Sequence, residues 1–146
     1  AIGDLVSIQD LDMRIVCQNR AIRELMGAHI GEPCYKIHER RPQICEGCPM
    51  QESFKTGKIA RALRTGISKE GKAGRYELIT AVLKNKEGKI VAGIEVVRDV
   101  TERERTLKEL KEKTEDLEKF RKLAIGRELK MIELKKGMEK LKKGST

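Results

Sequence analysis

The chain has 146 residues, 38% hydrophobic and 38% charged, which is enough for one small domain and too little for two full cores or a large enzyme. With 2 Phe, 2 Tyr and no Trp, it cannot build a nucleic-acid platform that stacks bases on rings. The net charge of +9 is spread over both halves, so neither half is a dedicated phosphate-binding surface.

Residues 5–9 and 13–18 alternate around the turn-prone Asp10-Leu11-Asp12 and predict a β-hairpin. Asn19 is placed to cap a helix that turns Ala21, Ile22, Leu25 and Met26 to one face and ends at Gly27. Residues 31–48 read as short and irregular. A second helix is predicted over 48–55, stopped by Gly57 and burying Met50 and Phe54. Three strands follow at 59–68, 75–83 and 89–98, on the strength of their β-branched residues, with hairpin turns at Glu70-Gly71 and Asn85-Lys86-Glu87-Gly88. Two strands, a helical middle and three strands make an α+β domain over residues 1–100, one five-stranded antiparallel sheet with flanking short helices.

From residue 99 to 143 there is no Pro, Leu recurs at helical spacing and Glu, Lys and Arg fill the gaps. Residues 101–146 therefore form a second unit, a long C-terminal α-helix of roughly 65 Å at 1.5 Å per residue. Leu107, Leu110, Thr114 and Leu117 fall at alternating steps of three and four, a coiled-coil seam through which the chain is expected to form a homodimer. Carrying that frame on would place Arg121 and Glu128 in the seam, so the register slips near Gly126, which marks a candidate switching point. A plain spacer is the other reading of this helix. A basic DNA-reading helix is disfavoured because acids interleave along it, and no nucleic-acid partner is expected.

The four cysteines carry the chemistry. Cys34-Tyr35-Lys36-Ile37-His38 precedes Cys45-Glu46-Gly47-Cys48-Pro49, and a C-x-x-C pair bends the backbone so that both sulfurs can face one metal. Cys34, Cys45 and Cys48 are the candidate cofactor and metal ligands, with Cys17 or His38 as the fourth. An iron–sulfur cluster, zinc, a reversible disulfide and inert buried thiols all remain open. Cys17 also reads as a small hydrophobe on its strand, and His29 as a solvated or locally hydrogen-bonded residue. Arg40 and Arg41 would lower the thiol pKa values if they lie close. Haem is disfavoured, since Pro49 stands where a covalent haem site needs His.

No phosphate loop or hydrolase-type triad is visible, and no His follows His38 to act as a phosphoacceptor, so any catalytic domain is expected outside residues 1–146. The absence of a leader-like start and of a run near the roughly 18 apolar residues of a membrane span predicts a cytoplasmic chain with reduced thiols and no membrane segment.

The stretch Asp10-Leu11-Asp12-Met13-Arg14-Ile15-Val16-Cys17-Gln18-Asn19 resembles the opening hairpin and helix-starting Asn of the PAS (Per-Arnt-Sim) sensor family. Gly93-Ile94-Glu95-Val96-Val97-Arg98-Asp99-Val100-Thr101-Glu102-Arg103 resembles its last strand and the Asp-Val-Thr junction into a signalling helix. The resemblance covers nearly all of the globular half. It extends to a variety with a Cys-Tyr start and a C-x-x-C-Pro end in the middle segment, and residues 123–136 look like linkers of bacterial and archaeal signalling kinases. The resemblance implies a sensor of a redox, metal or small-ligand stimulus in a two-component-type system. Asp99, Thr101 and Gly126 would relay the signal to an output domain. It also disfavours a flavin, because the Asn-Cys-Arg-Phe run of the family's flavin photoreceptors is missing. The alternative expectation is a constitutive dimerisation or scaffold module with structural zinc or inert cysteines.

Overall fold

The computed structural model describes residues 3–144; residues 1–2 and 145–146, at the outer ends of the two expected domains, lie outside the described residues. The elements run β1 (Leu5–Asp10), β2 (Ile15–Gln18), α1 (Arg20–Met26), α2 (Cys34–Ile37), α3 (Pro49–Thr56), β3 (Ala60–Ile67), β4 (Ala73–Lys84), β5 (Ile90–Asp99) and α4 (Thr101–Gly144). The strands form one antiparallel sheet in the order β2-β1-β5-β4-β3, so β5, last in sequence, lies at its centre.

Local chemistry sets the element ends. The Asp10 carboxylate accepts the amides of Asp12 and Arg14, folding the first turn. Met13 is held in that turn at φ 64° with its side chain buried, so β2 starts at Ile15 and not at the expected residue 13. Asn19 caps α1 with its side-chain oxygen, which accepts the Ile22 amide at 3.1 Å, while its side-chain Nδ2 donates to the Asp4 carbonyl. Of the expected apolar face of α1, Ile22 is buried and Met26 is exposed. The stretch expected to be irregular holds the single turn α2 behind Pro33, with the Cys34 amide donating to the Met13 carbonyl. In α3, Pro49 takes the first helical position, where its missing N–H costs nothing, and Gly57 closes the helix in the left-handed region at φ 69°.

Side chains alternate across a strand, so the register defines a row on one face of the sheet. Gln18, Ser7, Glu95, Thr80 and Ala60 stand side by side across all five strands, and each is buried. This face lies under the helices. Thr80 pairs with Ser53 of α3 and donates to the Pro49 carbonyl, while Met50 of α3 packs on Gly93 of β5. Phe54, expected in the core, is only half-buried; Ser53 and Met50 are the fully buried residues of α3. The β-branched residues that identify β5, Ile94 and Val96, fall on the opposite face and are half-buried.

The chain divides into one unit that ends at Glu102 and another that begins at Arg103. Along α4 the described apolar side chains, among them Leu107, Leu110, Leu117 and Phe120, are exposed in the single chain. Among the described residues no helix is long and apolar enough to cross a membrane.

Candidate functional site

Cys34 opens α2 and His38 closes it, with the His38 amide bonded to the Cys34 carbonyl, so the two side chains leave the same side of one helical turn. Cys48 is the N-cap residue of α3. Cys45 lies three residues earlier, on a loop whose Glu46 and Gly47 carbonyls accept from Arg64 of β3. That loop borders an open cavity of about 670 Å³ lined by Arg41, Ile44, Cys45, Glu46 and Gln51 among others. All four cysteines are free thiols.

The electrostatics place three of these thiols in one neighbourhood. Burial, the Glu95 carboxylate and the neighbouring Cys48 and Cys45 push the Cys34 thiol up to about 12. The Cys45 thiol is also raised, by burial, by Glu39 and by Cys48. Arg41 and Arg64 pull it the other way and are outweighed, so the expected lowering by adjacent arginines is not what the fold produces. At Cys34 and Cys45 alike, burial and nearby acidic groups favour the protonated thiol over the thiolate.

Cys17 stands apart. It pairs with Ile8, so it lies on the sheet face opposite Ser7 and Gln9, and it is exposed where its strand position predicts a buried small hydrophobe. His29 is locally bonded, as expected, through Glu32 and the Met26 carbonyl. His38 is the histidine that enters the thiol neighbourhood. Its Nδ1 is 3.5 Å from Glu95 Oε1, and its Nε2 is buried with no hydrogen-bond partner among the described residues. Cys34, Cys45, Cys48 and His38 are the residues that could hold a metal, although among the described residues no three His, Cys, Asp or Glu side chains already stand at ligating spacing.

Sequence reasoning missed Glu95, together with Ser7, Gln9 and Gln18 on the same buried face. The available signal was parity: in β5, Gly93 and Glu95 alternate with Ile94 and Val96, and one set or the other had to face the helices. Gln9 Nε2 donates to Ser7 Oγ, and the Gln18 side chain accepts the His29 amide, which partly satisfies this polar face.

The second candidate site is the exit from β5. Only Val100 separates β5 from α4; it is buried and its amide donates to the Arg75 carbonyl at 2.9 Å. The Thr101 hydroxyl accepts the Arg75 amide at 2.9 Å and donates to the Asp99 carboxylate, which also accepts the Thr101 amide. Asp99, Thr101 and the edge of β4 thus form one closed knot. Gly126, the third expected relay residue, lies inside the continuous helix α4 with open space around it.

The PAS fold family matches residues 1–105, most of the chain. The chain belongs to the PAS family. PAS domains are sensor domains of signalling proteins, and this one carries the five-stranded antiparallel sheet, short helices and following long helix of that fold. No curated protein matches it. Among solved structures it is similar to an RNA-binding light-oxygen-voltage receptor at 21% identity and a TM-score of 0.57, over 75% of this chain and 33% of the receptor. A light-oxygen-voltage domain studied with a flavin analogue aligns at 20% identity and a TM-score of 0.54, over 77% of this chain and 89% of that one. The VqmA dimer of Vibrio cholerae aligns at 18% identity and 0.55, over 68% and 47%. The chain spans about a third of the length of the first of these, and likeness at this identity shows the fold.

Proposed function

We propose that this PAS domain senses the chemical state of the Cys34, Cys45 and Cys48 thiols and relays it through a dimeric α4 to an output domain beyond these residues. The stimulus is oxidation of the thiols or the binding of a metal to them, in a reducing compartment such as the cytoplasm. The observation that carries the reading is mechanical continuity from thiol to junction. Cys48 caps α3, and two residues on, Met50 packs so tightly on Gly93 that a Cβ there would overlap the Met50 sulfur. Gly93 lies on the strand that ends at Asp99. A shift of α3 that moves Met50 is therefore borne by β5 and arrives at the Asp99–Thr101–Arg75 knot.

The test starts from protein purified without oxygen, with iron, sulfide and zinc measured, followed by sedimentation and interchain spin-label distances along α4. Each is then repeated after oxidation and after metal removal. A dimer whose α4 distances change with the state of the thiols supports the relay. Monomer at high concentration, or tightly held zinc with α4 distances that never change, overturns it in favour of a constitutive scaffold.

A further inference from the structure

His38 is oriented as a metal ligand is. One ring nitrogen faces the Glu95 carboxylate at 3.5 Å, and the other is buried with no partner among the described residues. Leaving a buried ring nitrogen without a bond is costly, and a carboxylate facing Nδ1 selects the tautomer whose Nε2 carries a free lone pair. Histidines that bind metals show this arrangement, with an outer carboxylate fixing ring and tautomer.

The candidate partners of that nitrogen are set by the backbone. Cys34 sits one helical turn before His38 on the same side of α2. Cys48 precedes Pro49, whose carbonyl accepts from Thr80, and Thr80 is the cross-strand neighbour of Glu95. Cys45 lies on the loop just before Cys48. Cys17, on the other face of the sheet, is not in reach of this group.

Resting on the thiol-sensing reading, and specifying its stimulus, we propose that Cys34, Cys45, Cys48 and His38 form a tetrahedral three-sulfur, one-nitrogen site for a single zinc-class divalent cation, with Glu95 as the positioning residue for His38. Thiolate and imidazole donors select such an ion over calcium or magnesium, and a set of three sulfurs and one nitrogen matches a structural zinc shell. Binding releases the thiol protons to solvent and changes no oxidation state. Among the described residues these side chains do not stand at ligating spacing, so binding requires them to move together. Glu95 is four residues before Asp99 on β5, so the strand that orients the ligand is also the strand that enters the α4 junction.

The experiment is a titration of the reduced, metal-free full chain with Co²⁺, followed by displacement with Zn²⁺. The expected result is one Co²⁺ per chain with tetrahedral ligand-field bands and thiolate charge-transfer absorption. C34S and C48S should abolish the charge-transfer signal, and C17S should leave it unchanged. H38A should shift the ligand-field bands, and E95Q should keep the bands while weakening affinity about 10- to 100-fold. Should a variant fail to fold, nuclear magnetic resonance of the wild-type His38 ring decides the same point, through a change at Nε2 when Zn²⁺ is added. No uptake, an octahedral spectrum, bands insensitive to His38, or iron with sulfide in the native protein overturns the site. If oxidation alters α4 while no cation binds, this site fails and thiol sensing stands; if the cation binds and α4 never responds, the site stands and the sensing reading fails.

Discussion

Thr101→Val tests the knot at the strand exit, because Val keeps the shape of Thr and deletes only the hydroxyl. That hydroxyl accepts the Arg75 amide at 2.9 Å and donates to Asp99, in a half-buried position. Taking an acceptor from a partly buried amide costs about 1–3 kcal/mol. Crowding leaves little room for another group to replace it: a Cβ on Gly74 would already stand 3.0 Å from both the Thr101 hydroxyl and the Tyr76 hydroxyl. The expected result is a loss of about 1–3 kcal/mol in denaturant unfolding, with exchange of the Arg75 amide accelerated about tenfold or more. Thr101→Ser, which keeps the hydroxyl, should stay within about 0.5 kcal/mol of the parent. If Thr101→Val unfolds like the parent and the Arg75 amide stays as protected as before, the hydroxyl does not tie β4 to the helix start and the reasoning fails.

Gly93→Ala should cost about 1–3 kcal/mol by overpacking against Met50, and adding Met50→Ala should cost less than the sum of the two single changes, as a double-mutant cycle of melting curves will show. Asn19→Ala removes both the α1 cap and the tie to Asp4, with an expected loss of about 1 kcal/mol or somewhat more in the same assay. His29 should titrate above the usual 6.5 because Glu32 and the Met26 carbonyl hold its protonated form; its stabilising contribution is present in full below 6.5 and lost as pH rises through the folded value, and Glu32→Gln should bring the resonance-detected pKa down. Leu110→Lys with Leu117→Lys should drive α4 to monomer in sedimentation while leaving the sheet's circular dichroism unchanged; a persistent dimer would place the interface elsewhere.

Much of this protein is legible in its residues. The Asn19 cap, the glycine stop at Gly57, the hairpin turns and the period-2 runs are local chemistry, and each acts within a few residues of its own position. The five strands in order, the short helices between them and the long polar helix after them follow from those signals, as does the Asp99–Thr101 cap. The opening strand pair departs from its pattern at Met13 because the Asp10 turn takes that residue into the left-handed region, where its carbonyl accepts the Cys34 amide and Arg14 bridges to Pro33. The arginines beside the cysteines mislead as well. Adjacency in sequence says nothing of burial, the largest cause at Cys45, which together with Glu39 and Cys48 outweighs Arg41 and Arg64.

What sequence alone determined is the inventory of elements and the grouping of Cys34, His38, Cys45 and Cys48 within one short stretch. Tertiary structure decided which face of each strand meets the helices, and so brought Glu95 to His38, turned the apolar Ile94 and Val96 to the opposite face, and set Cys17 apart from the other thiols. The physical reason is that alternation along a strand fixes two faces without saying which is covered. That choice is made by contacts between residues far apart in the chain, Met50 on Gly93 and Ser53 on Thr80, which no local pattern encodes.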